Sequence, residues 1–376
     1  MAKISEVFDL QMGKTPARAN EEYWIDGANK WVSIGDLSGY EKYVEDTKEK
    51  ITDLAVAESG IKAVPSDTVI MSFKLSLGKV AITKTPVYTN EAIMAFLPKH
   101  GQSILPDYFY HYFSSIDWSK GTNRAVMGVT LNKATLGEME IQIPSMVKQV
   151  EIADRLNKID ELISLRKQQL AKLDELVKAR FVELFGNVSD FVNITDIAHT
   201  YIGLVTTMTK HYCNNGTPLL FNSSIKSDKI VWDGTYLDME FAEANKSRMH
   251  KTNDIVTVHT GDIGTSAVVG EEFNNSLGFA TIVTRINDIS RYYPRFVSSF
   301  LNYGSGKEQL KKYSRDVRNN LNLKDFNRLM VPNVSALEQK RYVDFLEQTD
   351  KSKVVVQKAL DEAQLLFDSL MQKYFG

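Results

Sequence analysis

The sequence predicts an α+β protein written as one unit twice, each copy a compact α+β domain followed by one long helix. Three observations carry this reading. Framework residues recur at a constant offset, short apolar runs separated by turn residues fill the first part of each copy, and an unbroken heptad pattern fills the second. Ile4-Ser5-Glu6-Val7 returns as Ile194-Thr195-Asp196-Ile197, and Gly13 returns as Gly203. Leu131-Asn132 returns as Leu321-Asn322, Gln149 as Gln339, Leu156 as Leu346, Leu170 as Leu360, and Phe185-Gly186 as Phe375-Gly376. Such a repeat implies a pseudo-two-fold object whose function comes in two matching halves.

The first parts cover residues 1–143 and 188–331. Strands are expected at Thr68-Val69-Ile70-Met71, Val80-Ala81-Ile82, Ile255-Val256-Thr257-Val258 and Ala267-Val268-Val269, with Gly, Asn, Asp and Pro between them. Tyr108 to Ile116 and Arg295 to Leu301 read as short aromatic-rich helices.

The second parts, residues 144–187 and 332–376, read as helices. Ile152, Leu156, Ile159, Ile163, Leu170, Leu173, Val177 and Leu184 alternate spacings of four and three, with Arg166 and Arg180 completing the series. That is a seam for a partner helix. The second copy carries the same seam at Tyr342, Leu346, Thr349, Lys353, Val356, Leu360, Ala363, Phe367, Leu370 and Tyr374. Pro144 and Pro332 stand ahead of the helices, where proline blocks backward extension, and Gly186 is a candidate C-terminal cap. About forty residues at ~1.5 Å each make a rod of roughly 60 Å. The economical arrangement packs the two helices on each other as an intramolecular antiparallel coiled coil, carrying the domains to opposite ends. Arg166 and Lys353 interrupt the seam; they either fix its register or snorkel to water from its edge.

A chain of 376 residues has room for two or three domains, and its composition, 43% hydrophobic and 24% charged, is that of a soluble globular protein. Its one cysteine, Cys213, excludes a disulfide framework and fits a reducing cytosol. No run resembles a signal peptide or a bilayer span, so the expected location is the cytoplasm, with no membrane partner. Net charge is −2. Residues 1–143 hold 15 Lys/Arg against 18 Asp/Glu, and residues 188–331 hold 16 against 15. A nucleic-acid partner would therefore be met through local patches or with another subunit's help.

Two similar modules at fixed separation on a stiff spacer suit a bipartite ligand. Duplex DNA is the obvious one, because half-sites about one helical turn apart, ~34 Å, offer the same groove to both modules. The modules share a frame and differ between its fixed points, so they would read different sequences.

The chain resembles the specificity subunit of Type I restriction–modification systems over essentially its whole length. The resemblance rests on Gly13-Lys14-Thr15-Pro16, Trp31-Val32-Ser33-Ile34-Gly35-Asp36-Leu37 and Thr89-Asn90-Glu91-Ala92-Ile93, then Ile143-Pro144 followed by Gln149-Val150-Glu151-Ile152-Ala153 and Leu156. The domain-then-helix repeat is itself a hallmark of that family. The resemblance implies two target-recognition domains, each reading half of a split double-stranded DNA site, on antiparallel helices that dock two modification (methyltransferase) subunits. Those subunits methylate adenine using S-adenosylmethionine, and restriction (translocase-nuclease) subunits join to cut unmethylated DNA with ATP and Mg²⁺. This chain would bind none of these cofactors and supply sequence choice and assembly. The second copy departs from the pattern: Thr217-Pro218-Leu219-Leu220-Phe221-Asn222 replaces the Trp31 segment, and Phe279-Ala280-Thr281 replaces Asn90-Glu91-Ala92.

Base contacts need Arg, Lys, Asn or Gln at base edges, whereas phosphate contacts need only positive charge and donors. The first domain offers Lys74, Lys79 and Lys84 around Gly78, and Asn123 with Arg124. In the second, residues 304–328 hold seven Lys/Arg against three acids, among them Lys307, Lys311, Lys312, Arg315 and Arg318, with Asn319 and Asn320 between. A solvated helix face is the alternative reading of this stretch. Asn132 and Asn322 repeat, which favours turn capping over base reading. His259 to Gly264 aligns with Phe73 to Gly78, either as a strand-to-strand turn or as a backbone approach to phosphate. Trp31 reads as a core residue before a base-stacking one.

Two rival readings remain at the level of sequence. A self-sufficient nuclease or methyltransferase finds only Glu338-Gln339-Lys340, which opens a helix without an acidic partner. No Asn-Pro-Pro-Tyr or Asp-Pro-Pro-Tyr is present to hold a flipped adenine, no glycine-rich cofactor loop follows a strand, and the six histidines lack metal-ligand spacing. No catalytic or metal-binding residue is therefore assigned. A coiled-coil scaffold with two protein-binding heads and no DNA role is the other alternative.

Overall fold

Runs of β-branched and aromatic residues bounded by turn residues become strands wherever both their faces find apolar cover. The computed structural model describes residues 1–74, 76–118, 131–313 and 320–376. Its contacts form two compact units, Met1–Arg166 with Ala359–Gly376, and Lys167–Lys358.

In the first unit a five-stranded sheet runs in the order Phe8–Met12, Ile93–Pro98, Val69–Ser72, Val80–Thr83, Tyr43–Val44, antiparallel except for its last pair. Alternation along the strands separates two cores. Phe8, Leu10, Val69, Met71, Met94 and Phe96 meet Phe109 and Phe113 of the helix Pro106–Ser115 on one face. Ile70, Ala81, Ile93 and Ala95 meet Val32, Leu37, Val64 and Val87 on the other. Covered on both faces, Val69–Ser72 and Val80–Thr83 are buried at every position, as continuous rather than alternating apolar runs require. A second sheet orders Glu49–Ile51, Asn29–Val32 and Tyr88–Thr89. Its parallel pair sets Trp31 beside Tyr88 and Val32 beside Thr89.

The second unit repeats this frame. Ala198–Ile202, Thr281–Ile286, Ile255–Val258 and Ser266–Val268 form an antiparallel sheet, and the helix Pro294–Tyr303 buries Phe296, Val297, Phe300 and Leu301. A parallel pair sets Leu219 beside Leu277 and Leu220 beside Gly278, matching the first unit residue for residue. The aromatic-rich helices thus form where the sequence predicts them, each opened by a proline in its first turn. Asn132 and Asn322 are caps: their Oδ1 atoms accept from the Thr135 and Asp325 N–H at 2.9 and 2.8 Å. Trp31 is core, with 1% exposure.

The long helices are Met146–Phe185 and Ala336–Phe375, 40 residues each. In the first unit Ile152 and Leu156 share a core with Phe367, Leu370, Met371 and Tyr374, and Arg155 donates to the Tyr374 hydroxyl at 3.1 Å. In the second unit Val177, Phe181 and Phe185 pack with Tyr342, Val343 and Leu346, while Asp174 pairs with Lys353 at 2.6 Å. Low numbers face high ones, so the helices run antiparallel. Ile152, Leu156, Ile163, Val177, Leu346 and Val356 are buried; Ile159, Leu170, Leu173, Leu360, Phe367 and Leu370 are half-buried. Lys353 sits at the seam's edge and uses its ammonium to reach across it.

The seam departs from the heptad at the end of the first helix. Leu184 is exposed, and Phe181 and Phe185 are buried in its place. Both rings pack on Phe296 and Tyr342, at centroid distances of 5.0–5.8 Å, so the domain's aromatic cluster captures the helix there. Gly186 ends the helix through its N–H to the Val182 carbonyl at 2.8 Å. A Cβ there would lie 2.5 Å from that same carbonyl oxygen, which is why glycine stands at this position.

Candidate nucleic-acid interface

In each domain a concavity opens between the segment after the first strand of the parallel pair and the end of the central strand. Strand register makes Ile34 equivalent to Asn222, Gly35 to Ser223, Lys74 to Thr260, and Asn90 to Phe279. The concavities overlap at three equivalent positions, Ile34 with Asn222, Gly35 with Ser223 and Lys74 with Thr260, and differ in the rest of their lining.

The first, about 570 Å³, is lined by Arg18, Trp31, Ser33, Lys74, Asn90 and Glu91 among others. Its floor is built around Trp31, whose Nε1–H donates to the Lys14 carbonyl at 3.0 Å and whose ring meets Trp24 edge-on at 5.1 Å. Arg18 covers both rings at 3.8 and 4.8 Å, held flat by a two-pronged bond to Glu49. Asn90 is braced by the Ala92 N–H at 2.8 Å and the Thr15 hydroxyl at 3.2 Å. Lys74 projects into the same space, 5.2 Å from the Phe73 ring.

The second, about 370 Å³, is lined by Asn222, Ser223, Lys226, Ser227, Thr260, Asp262 and Thr265 among others. Asn222 Oδ1 accepts from the His259 N–H at 3.2 Å. Thr260 pairs with Asn320, its hydroxyl 3.3 Å from the Asn320 Oδ1. Lys307 Nζ bonds Asp262 at 2.7 Å and Thr265 at 3.2 Å. The Lys307 ammonium, with help from the Thr265 hydroxyl, holds Asp262 below the usual carboxylate range. Burial pulls the His259 imidazole below its usual value. The turn from His259 to Gly264 joins two strands and places Gly261 and Gly264 in the left-handed region.

Of the candidates read from sequence, Lys74 lines the first concavity, and Lys307 and Asn320 bond to residues lining the second. Lys311 and Lys312 stand exposed on the helix Gly306–Tyr313. Lys79 is exposed, with its backbone N–H donating to Ser72 Oγ at 3.0 Å. Lys84 is not among the residues lining the concavity; it lies 3.4 Å from Glu45 and over the Tyr43 ring. Asn123, Arg124, Arg315, Arg318 and Asn319 lie outside the described residues. Arg18, Asn90, Asn222 and Lys226 line the concavities but are not among the candidates read from sequence. The available signal was that Asn222 and Asn90 fall in segments where the two copies disagree.

Among the described residues no group of three or more His, Cys, Asp or Glu is arranged to hold a metal ion, and no helix is long and apolar enough to cross a membrane. Glu338 is occupied as a cap, accepting from the Ser335 N–H at 3.0 Å.

Comparison with known proteins adds two relatives, two similar structures and one family. The chain is 31% identical over 195 residues to the Type I restriction enzyme MjaIX specificity subunit of Methanocaldococcus jannaschii, covering 51% of this chain and 44% of that one. It is 28% identical over 187 residues to the EcoR124I/EcoR124II specificity subunit of Escherichia coli, covering 47% and 45%. The chain thus spans less than half the length of these relatives. In fold it is similar to the S subunit of a Type I restriction–modification system from M. genitalium, with a TM-score of 0.59 at 16% identity over 100% of this chain and 95% of that one. A structure described as showing complex assembly and conformational transition of the type I R-M system gives 0.63 at 14% identity over 100% and 96%. The Type I restriction modification DNA specificity domain matches twice, at residues 1–175 and 189–363, and the chain belongs to that family.

Proposed function

We propose that this chain is the sequence-reading subunit of a Type I restriction–modification complex, with each α+β domain reading one half of a split duplex site. The carrying observation is the pair of concavities, overlapping at three equivalent positions and unlike in lining. Asn90 and Lys74 in one, and Asn222 and Lys226 in the other, are side-chain types that hydrogen-bond adenine or guanine edges in the major groove. Lys311 and Lys312 supply charge for phosphate, as does Lys307 once DNA competes with Asp262.

The long helices dock two modification subunits. Apolar side chains outside the seam support this: Leu162, Leu165, Leu365 and Leu366 in the first unit, and Leu176, Val354 and Val355 in the second, are 41–70% exposed. Restriction subunits join the assembly, which works in the cytoplasm. S-adenosylmethionine, ATP and Mg²⁺ act on the partner subunits, and this chain does no chemistry of its own.

The test is to co-express the chain with its modification subunit and map methylated adenines across a genome. The expected result is a two-part motif with an unspecified gap. Exchanging residues 1–143 for another member's first domain should change one half only. A continuous motif, loss of both halves together, or DNA turnover by the chain alone would overturn the proposal. Binding indifferent to salt between ~50 and ~200 mM would favour the scaffold reading.

A further inference from the structure

Beyond the apolar core each domain shares with its long helix, polar bonds join the two at two points, and the two points follow different rules. The first is repeated bond for bond. Gln149 Oε1 accepts from the Leu105 N–H at 2.9 Å while its Nε2 donates to the Ser103 and Pro144 carbonyls, both at 2.9 Å. Gln339 does the same with the Tyr293 N–H at 3.0 Å and the Arg291 and Val334 carbonyls at 3.2 and 3.0 Å.

The second point is reversed in charge. In the first unit Asn157, two turns beyond Gln149, is the hub. Its Oδ1 accepts from Lys42 Nζ at 2.6 Å and meets His111 Nε2 at 2.8 Å, and its Nδ2 donates to Asp107 at 3.3 Å. Lys42 closes the ring with an ion pair to Asp107 and is only 15% exposed. Tyr43 donates to Asp107 at 3.3 Å, and Asp160 lies 3.9 Å from His111 Nδ1. In the second unit the helix position of Asp107 is held by Arg295, which pairs with Asp350, the equivalent of Asp160, at 2.6 Å. The acid is now on the domain loop: Asp228 accepts from Ser298 at 3.2 Å and Asn302 at 3.1 Å. An acid on the short helix and a cation on the loop in one unit thus become a cation and an acid in the other.

Two attachment points do what one cannot. Gln149 and Asn157 are separated by about 12 Å along the helix, and Gln339 and Asp350 by about 16 Å, at ~1.5 Å per residue. The shared apolar core is non-directional and the glutamine fixes one point of it; a second directional bond at that distance resists rotation about the first. For a split DNA site this matters directly. Lengthening the gap by one base pair shifts one half-site by ~3.4 Å and turns it by roughly 35°, which a fixed domain cannot follow.

We infer that Asn157 with Lys42 and Asp107, and Asp350 with Arg295, are positioning residues that fix each domain's tilt on its long helix and so set which gap length is accepted. This rests on the bipartite DNA-reading role proposed above. The test uses the full chain with its modification subunit and duplexes carrying the two half-sites at the native gap, one base pair longer and one shorter. The wild type should methylate only the native gap. Asn157→Ala and Asp350→Ala should each raise methylation of the shifted substrates relative to the native one by about tenfold, with the half-site letters unchanged. If both variants lose thermal stability or total methylation but keep the wild-type gap preference, the joints are merely structural and the inference falls. Asp350 is 44% exposed, so D350A carries the test alone if N157A fails to fold. A wild type that methylates without regard to the gap would instead defeat the bipartite reading itself.

Discussion

The two buried glutamines give the duplicated frame its most demanding test. Gln149 and Gln339 are both fully buried, and each satisfies one backbone N–H and two carbonyls. Alanine removes three bonds at once from three half-buried main-chain groups, of which, among the described residues, the Val334 carbonyl alone keeps a second partner, the Arg291 guanidinium at 2.7 Å. A protein hydrogen bond contributes ~1 kcal/mol net, and a buried group left without a partner costs about 1–3 kcal/mol. The upper sum is too large, because the vacated amide leaves room for a water that can serve two of the three groups. The expected loss is therefore about 3 kcal/mol for each variant, or roughly 9 °C in Tm for a unit of this size. The two losses should agree within ~1 kcal/mol, because the bonds match one for one. Urea unfolding of the full chain gives the totals. Amide exchange at Leu105 and Tyr293 shows whether the damage is local, since each should lose protection in its own variant alone. A loss below ~1 kcal/mol, or unequal losses in the two variants, would refute the claim that these side chains are equivalent clamps.

Three further outcomes follow from the same structure. Phe181→Ala should cost about 4 kcal/mol, while Leu184→Ala should stay within ~0.5 kcal/mol, and a reversed order would restore the unbroken heptad. Burial pushes His111 and His250 down to about 4, whereas an unfolded imidazole titrates near 6.5. The unfolded chain therefore binds more protons between those values, so stability is fully present above pH ~6.5 and falls toward pH 4, by about 3 kcal/mol per histidine. Urea midpoints at pH 7.5 and 5 test this, and a flat profile would contradict it. In DNA binding, Lys311→Ala and Lys312→Ala should each lower the slope of log affinity against log salt by about one. Lys84→Ala should leave that slope unchanged, because Glu45 and Tyr43 already hold its ammonium.

How much of this was legible in the sequence depended on how local the cause was. Seam positions from Ile152 to Val177 could be read directly, because a heptad is a property of neighbours on one helix. The pattern failed at Leu184 because Phe181 and Phe185 answer to Phe296 and Tyr342, which are more than a hundred residues away in sequence. Asn132 and Asn322 were legible as caps for a related reason: the bond is local, and its repetition argued against a role that should differ between halves. The concavities were not legible. Each joins segments far apart in the chain, Ser33 to Gly35 with Lys74 and Asn90 in one and Asn222 to Ser227 with Val258 to Thr265 in the other. Charge alone selected Lys74 and Lys84 together, although the fold sends one to the concavity and the other to Glu45.

The internal comparison separates residues by what a change would cost. Gly13 and Gly203 are kept because a Cβ would lie 2.2 Å from the Thr89 carbonyl oxygen in one copy and 2.3 Å from that of Gly278 in the other. Gln149 and Gln339 are kept because three main-chain groups depend on each. Positions lining the concavities have diverged, as outward-facing residues can, each substitution standing alone. The joints fit neither class. Lys42 pairs with Asp107 in one copy, whereas in the other Arg295, at the position of Asp107, pairs with Asp350 of the long helix. A half-buried ion pair is left with an unmatched charge when either partner changes alone, which costs more than an exposed substitution. Replacing the pair with apolar residues would have been the easier route to a stable joint. That both copies hold a charged joint, through different partners, argues that what is kept at this point is a geometry, which ion pairs and their directional bonds fix and non-directional apolar contact would not.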